Sequence, residues 1–158
     1  MKNKIVLNLI LLFSIFALLA AYYIEYILGH KPCNLCLIER IPYILTIIVI
    51  TTYLIIKKFQ KVIFLLISFI FFCLTLVSFY HFGIEQGFFI ESQVCNLNSE
   101  TKALTKDQIL SELKEKSISC KEVSFKIIGF SLATINTLLS LLISIITLKI
   151  YLDYEKNK

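Results

Sequence analysis

Two cysteines separated by two residues, Cys33 and Cys36, are the residues of this chain best suited to redox chemistry. They stand in the stretch HKPCNLCLIER, residues 30–40, between two strongly apolar segments. A disulfide between them closes too small a loop to constrain much of the chain, whereas such close pairs are usually kept for thiol–disulfide exchange. The spacing therefore favours a redox centre over a structural crosslink.

The residues around this pair favour a reactive thiolate. Pro32 suits the first turn of a helix because it lacks the N–H that would have no partner there. A helix starting near Pro32 places both cysteines in its first turn, where the positive end of the helix dipole stabilises a thiolate. Arg40, four residues after Cys36, falls on the same face and adds a permanent cation that Glu39 could partly neutralise. The alternative interpretation of Arg40 is an interfacial anchor whose charge reaches water.

Four apolar stretches must position these residues. The chain is 58% hydrophobic and 17% charged, whereas a soluble domain is about half apolar and about a quarter charged. About 20 apolar residues span a bilayer as a helix, which satisfies its own backbone hydrogen bonds in lipid. The first stretch is too long for a usual signal core and lacks a good cleavage site, so we expect a retained helix. We predict a single all-α membrane domain over residues 1–158, with helices at about 5–27, 37–56, 62–80 and 127–149.

The lysines set the expected orientation. An even number of spans places both termini and the turn at 57–61 on one side, and the positive-inside tendency makes that side cytoplasmic. The other side then holds a short loop at about 28–36 and a long loop at about 81–126, in which a surface helix is predicted at about 106–116. The formal charge of +5 is thus an orientation signal and does not indicate a nucleic-acid partner. The lysines on the expected cytoplasmic side are Lys2, Lys4, Lys57, Lys58, Lys61, Lys149, Lys156 and Lys158.

Four of the five cysteines, Cys33, Cys36, Cys95 and Cys120, fall in the two outward loops. The fifth, Cys73, lies within the third apolar stretch and is interpreted as a small buried hydrophobic residue. The outer face of a bacterial inner membrane is oxidising, whereas the cytosol is reducing. Four cysteines on that face suggest two disulfides, whose pairing the sequence leaves open.

Metal and haem sites fit the pattern less well than a redox centre. A structural zinc site commonly takes two close ligand pairs, whereas Cys95 and Cys120 lie far apart, and His30 and His81 complete no finger pattern. Covalent haem needs C-x-x-C-H, and Leu37 stands at the histidine position. We therefore expect no metal. A structural crosslink remains open for Cys95 and Cys120, since it would close and stabilise a long loop.

Three segments of the chain resemble the disulfide-bond-formation protein B family, the quinone-coupled membrane oxidases that re-oxidise periplasmic thiol oxidases. CNLCLIER, at 33–40, looks like the C-x-x-C-x-x-E-R that begins the second helix in that family. YHFGIE, at 80–85, looks like the segment that leaves the third helix. CKEVSFKIIGFSLATIN, at 120–136, looks like the run from the last redox cysteine into the fourth helix. The resemblance covers about residues 5–150.

The resemblance implies an up-down four-helix bundle in the bacterial inner membrane, with both active pairs on the periplasmic face. Cys33 and Cys36 are then the pair next to a membrane quinone, either ubiquinone or menaquinone. Cys95 and Cys120 are the pair that meets a periplasmic thioredoxin-fold thiol oxidase. In the implied route the reduced partner attacks Cys95, and the released Cys120 attacks Cys33.

Two further residues acquire expected roles from the same resemblance. Arg40 is implied to bind or polarise the quinone, and His81 to lie near the same pocket. The thiolate freed at Cys36, held by the helix terminus and Arg40, is expected to give the electrons to the quinone.

Three other functions remain as alternatives. A membrane thiol relay working in the reductive direction needs a thiol accessible from inside or mid-membrane, and Cys73 is the candidate. A protein resembling vitamin K epoxide reductase is a related solution with a similar bundle. A non-catalytic four-span scaffold with disulfide-stapled loops leaves Arg40 and the close cysteine pair without a function.

Overall fold

A computed structural model describes residues 2–90, Cys95, Cys120, residues 126–127 and residues 130–156. Within these residues, four helical segments are long and apolar enough to cross a membrane. The protein is an all-α, four-helix membrane bundle of up-down topology, as predicted. The surface helix predicted at about 106–116 lies outside the described residues.

Five helices and one short hairpin make up the described part of the chain. The second membrane span, Asn34–Ile56, consists of two consecutive helices. A two-stranded antiparallel hairpin precedes the last helix. The elements are α1 (Lys2–Tyr26), α2 (Asn34–Ile38), α3 (Arg40–Ile56), α4 (Gln60–Glu85), β1 (Lys126–Ile127), β2 (Phe130–Ser131) and α5 (Leu132–Lys156).

The second span is interrupted at Glu39, between α2 and α3. Pro42 follows three residues later, has no N–H to donate to Ile38 and crowds the carbonyl of that residue. A proline is a common cause of such a break, and the helix before it is weakened over one turn. The Glu39 N–H still donates to the Leu35 carbonyl over 2.9 Å, so the two pieces remain one span.

The last helix begins later than the apolar run suggests. Residues 126–131 form the hairpin, and α5 starts at Leu132 rather than at about 127. Ser131 caps this start, since its Oγ accepts a hydrogen bond of 3.2 Å from the Thr134 N–H. Apolar character marks a span, but the capping side chain sets where the helix starts.

Helix α4 continues to Glu85, beyond the predicted end at about 80. This additional turn carries His81 and Glu85, and both are held within the bundle with side chains that are only 5% and 6% exposed. The extension therefore adds two ionisable groups to the end of the bundle where the cysteines lie.

Helices α4 and α5 form the most extensive contact between any two of the described elements, and small polar residues bring them together. Ser68 Oγ donates to the Ser144 carbonyl and Ser144 Oγ donates to the Ser68 carbonyl, each over 3.1 Å. Thr75 Oγ1 donates to Ser140 Oγ over 3.0 Å. Small side chains permit this close approach between membrane helices. The apolar core beside this contact contains Leu7, Ile10, Tyr43, Ile50, Tyr53, Phe64, Ile67, Phe71 and Leu74.

Replacing Ser144 by leucine should destabilise the bundle by about 1–3 kcal/mol, because the larger side chain overpacks the contact between α4 and α5. Thermal unfolding of the detergent-solubilised protein, followed by circular dichroism, measures the loss. Thr51→Leu is the matched control, since Thr51 is exposed on α3 and should tolerate the added apolar bulk. Equal unfolding temperatures for the two variants would contradict the close packing.

Candidate redox site

Cys33 and Cys36 lie at the start of the second span. Cys33 is the N-cap residue of α2, and its Sγ accepts a hydrogen bond of 3.3 Å from the Cys36 N–H. The two Sγ atoms are unbonded and 2.6 Å apart. A disulfide bond is about 2.05 Å long, so a small side-chain movement closes this pair. Cys33 is buried and Cys36 is partly exposed.

The second cysteine pair belongs to the same buried cluster as the first. Cys95 and Cys120 form a disulfide, with their Cα atoms 5.8 Å apart. Both are buried in one apolar cluster that also contains Cys33 and Ile84. The side-chain amide of Asn34 donates to the Cys95 carbonyl over 3.4 Å. Two pairs that are distant in the chain therefore share one cluster at the end of the bundle.

His81, from α4, faces Cys33. Its Nε2 lies 3.5 Å from Cys33 Sγ, and its Nδ1 lies 2.9 Å from Glu39 Oε1. We assign the hydrogen to Nδ1, because a carboxylate oxygen accepts hydrogen bonds. This assignment directs Nε2 to the sulfur, where the ring can take a proton from the thiol or donate one to the thiolate.

Glu39 is itself held from the opposite side. Asn136 Nδ2 donates to Glu39 Oε2 over 2.7 Å and to Ser78 Oγ over 2.8 Å. The Tyr43 hydroxyl donates to Asn136 Oδ1, which fixes the direction of the amide. Each carboxylate oxygen of Glu39 thus has a donor, as a buried polar network requires. The network orients the imidazole of His81 toward the cysteines.

The pKa of the Cys33 thiol is lowered from its ordinary value to about 4. The largest cause is the hydrogen bond from the Cys36 thiol, which stabilises the thiolate. Burial opposes this effect, while His81 and the Cys36 N–H lower the pKa further. The groups that stabilise a thiolate therefore converge on Cys33, whereas the sequence had suggested a thiolate at Cys36.

Arg40 pairs with the first helix. Its Nη1 lies 2.6 Å from Glu25 Oε2, and its guanidinium carbon lies 4.9 Å from the centre of the Tyr22 ring. Glu25 therefore neutralises Arg40, and the expectation that Glu39 does so is wrong. Both members of the ion pair are largely buried, with side chains that are 12% and 21% exposed. The guanidinium is held at the edge of the cavity described next.

A cavity of about 290 Å³ joins these groups. Its wall is mostly apolar and comes largely from α1 and α5, including Ala17, Ala21 and Leu139. Its polar lining includes Cys33, Cys36, Glu39, Arg40, His81 and Glu85. An apolar cavity with a few converging polar groups is typical of a small-molecule site. The arrangement suits a flat apolar ligand with a polar edge near the sulfurs.

All six predicted site residues lie at this end of the bundle. Their surroundings include polar residues that the sequence reasoning assigned no role. The available signal was their position within or beside apolar stretches, where ionisable and amide side chains are costly and usually functional. These additional residues are Glu25, Tyr43, Ser78, Glu85 and Asn136.

Comparison with known proteins identifies the family of the chain. Residues 3–150 match the family model for "Disulfide bond formation protein DsbB". The chain is 34% identical over 155 residues to the uncharacterized protein RP370 of Rickettsia prowazekii (strain Madrid E). The aligned region covers 96% of this chain and 90% of that protein. No solved structure is a significant match. The chain therefore belongs to the DsbB family, and its general activity is that of a disulfide oxidoreductase in disulfide bond formation.

Proposed function

We propose that this protein is a membrane thiol oxidase that re-oxidises a periplasmic thioredoxin-fold dithiol protein and passes the electrons to a membrane quinone. The observation that carries the proposal is that the Cys95–Cys120 disulfide and Cys33 share one buried cluster, while Cys33 also lines the cavity. This arrangement provides two exchangeable pairs in series and a neighbouring place for an electron acceptor.

The orientation of the bundle supports a periplasmic site in the bacterial inner membrane. The cysteines lie beyond the end of α1 and at the start of α2, whereas the lysine-rich turn at 57–61 joins the opposite ends of α3 and α4. Because positive loops stay in the cytoplasm, the cysteine end faces the periplasm. That compartment is kept oxidising, so disulfides formed there persist.

Electron transfer proceeds by two dithiol–disulfide exchanges. The partner dithiol reduces the Cys95–Cys120 bond and becomes a disulfide, which leaves two thiols on this chain. The Cys120 thiolate then attacks a Cys33–Cys36 disulfide at Cys33, and Cys95 resolves the mixed disulfide. The second pair is thereby re-oxidised, and Cys33 and Cys36 hold the two electrons as a dithiol.

The cavity residues fit a quinone, whose apolar ring and two carbonyl oxygens match its wall and polar lining. When bound, a quinone supplies an acceptor for two electrons and two protons. The Arg40 guanidinium, held in place by Glu25, has N–H groups to donate to a carbonyl oxygen. His81 Nε2 faces the Cys33 thiolate at 3.5 Å, and the proton of the reduced pair is carried by the Cys36 thiol, from which it leaves as the dithiol becomes a disulfide. The apolar wall excludes water from these groups.

The reductive alternative gains no support from the described residues. Cys73 is exposed on the outer surface of α4, so its interpretation as a buried residue is wrong, and it belongs to neither pair. A relay from inside needs a thiol between the cytoplasm and the site that can reach one of the pairs.

Cys36→Ser should abolish quinone reduction, because the dithiol that donates the electrons is lost. The measurement follows quinone absorbance with purified protein, quinone and a reduced thioredoxin-fold partner. Cys73→Ser is the matched control and should retain the wild-type rate, since Cys73 lies outside the site. Full activity in Cys36→Ser, or no quinone reduction by the wild type, would falsify the oxidase proposal.

Arg40→Ala should raise the KM for quinone by about tenfold or more, because a hydrogen bond from a charged donor contributes about 1.5–3 kcal/mol. The KM of Arg40→Lys should lie between those of Arg40→Ala and the wild type, since lysine keeps the charge but not the planar set of donors. Lys58→Ala removes one cation at the opposite end of the bundle and should leave KM unchanged. An unchanged KM in Arg40→Ala would leave Arg40 as an interfacial anchor.

Cys33 in the reduced protein should react as a thiolate down to a pH of about 4. A thiol with a lowered pKa is deprotonated above that pKa and loses reactivity only when the pH falls through it. Mass spectrometry of alkylated Cys33 against pH, in a Cys73→Ser background, gives the midpoint. Cys36→Ala removes the largest cause of the shift and should raise the midpoint more than His81→Ala does. A midpoint at a pH of about 8.5 without the Cys36 or His81 substitution, the value of an ordinary thiol, would contradict this electrostatic account.

A further inference from the structure

We infer that Cys33, Cys36 and His81 form, in the reduced protein, a binding site for one soft divalent cation such as Zn²⁺. Their candidate ligand atoms all lie within 4.8 Å of one another. The further consequence, that a bound cation stops electron transfer through this pair, rests on the proposed function, whereas the binding itself does not.

The donor atoms and their spacing suit zinc. Zinc binds thiolate sulfur at about 2.3 Å and imidazole nitrogen at about 2.0–2.1 Å, with tetrahedral geometry. Such geometry places a sulfur and a nitrogen roughly 3.6 Å apart, and Cys33 Sγ lies 3.5 Å from His81 Nε2. Two coordinating sulfurs are roughly 3.8 Å apart, so the Sγ atoms must separate by about 1 Å from their present 2.6 Å. A rotation of the partly exposed Cys36 side chain supplies this movement.

The surroundings of His81 match those of a metal-binding histidine. A histidine ligand almost always donates its second ring N–H to a carboxylate or carbonyl, which fixes the ring and raises its basicity. Here Nδ1 is 2.9 Å from Glu39, and Glu39 is held in turn by Asn136. Nε2 is therefore already directed at the sulfurs, so binding requires little reordering of the ring.

Glu85 provides an independent indication of a cation site. Its side chain is only 6% exposed, its Oε1 lies 3.8 Å from His81 Nε2, and its Oε2 has no hydrogen-bond partner among the described residues. Leaving a buried carboxylate oxygen without a partner is costly, and coordination of a metal is one way to compensate it. Glu85 also lines the cavity. It lies outside the three-residue cluster, so its carboxylate must move toward the sulfurs to serve as the fourth ligand that we assign it to be.

Binding and oxidation exclude each other. A disulfide carries no thiolate charge and its sulfurs stay about 2.05 Å apart, so the Cys33–Cys36 disulfide cannot hold the ion. A bound ion in turn is coordinated by a lone pair of each thiolate sulfur, and this coordination prevents the S–S bond from forming. The spacing of ligands along the sequence does not reveal this site, because the helix after Cys36 contributes no ligand and the remaining donors come from α4.

The test titrates full-length protein in detergent with Zn²⁺ against a chromophoric chelator, and with Cd²⁺ to follow thiolate-to-metal absorbance. A Cys95→Ser/Cys120→Ser/Cys73→Ser background leaves Cys33 and Cys36 as its thiols. We expect one ion per reduced protein and none after oxidation of the pair. His81→Ala and Glu85→Gln should each weaken binding by about tenfold or more, as should Glu39→Gln through the orientation of His81.

Circular dichroism and thermal unfolding of each variant establish that it is folded, and His81→Asn replaces His81→Ala if the latter is not. Equal binding by the oxidised protein, or unchanged affinity in both the His81 and Glu85 variants, overturns the site. These titrations contain no quinone and no partner, so their outcome is separate from that of the oxidase assay. With wild-type protein, Zn²⁺ should slow quinone reduction, and an undiminished rate at saturating Zn²⁺ overturns the inhibitory consequence.

Discussion

The hydrogen bond between Glu39 and His81 is the interaction on which the site depends. An ionisable pair inside a membrane bundle is costly unless every polar atom has a partner, and removing one partner of such a pair costs about 3–5 kcal/mol. Asn136 and Tyr43 complete the network, so three spans are tied together at one depth. The network also fixes the His81 imidazole so that it faces Cys33. The same hydrogen bonds therefore hold the helices together and position the residues of the site.

The close contact between α4 and α5 makes that network possible. Ser68, Thr75 and Ser78 of α4 lie along one side of the helix, and each bonds to a polar group of α5. Because these side chains are small, the two backbones approach closely and bring His81 and Asn136 to the same level. The mostly apolar outer surface faces lipid, so specificity of helix pairing comes from this polar interior.

The site combines a fixed centre with exchangeable sulfurs. His81 and Arg40 are each held by a carboxylate, Glu39 for the first and Glu25 for the second. Cys33 instead lies where several partners converge: Cys36, the imidazole and the buried cluster of the second disulfide. The same features that stabilise a thiolate also suit the soft cation that we infer to bind there. Glu85 is the group whose buried oxygen has no other explanation among the described residues.

The sequence alone determined the four spans, their alternation, and the placement of Cys33, Cys36, Cys95 and Cys120 at one membrane face. Hydrophobic length, lysine distribution and cysteine spacing are local or additive properties, so they can be read without coordinates. The partners of the charged groups depend instead on how the helices pack: Glu39 bonds to side chains of α4 and α5, and Arg40 pairs with a side chain of α1. A partner depends on the rotation and depth of neighbouring helices, and these follow from side-chain packing between distant segments. For the same reason, the start of α5 at Leu132 and the end of α4 at Glu85 followed from caps and contacts, which the apolar pattern does not encode.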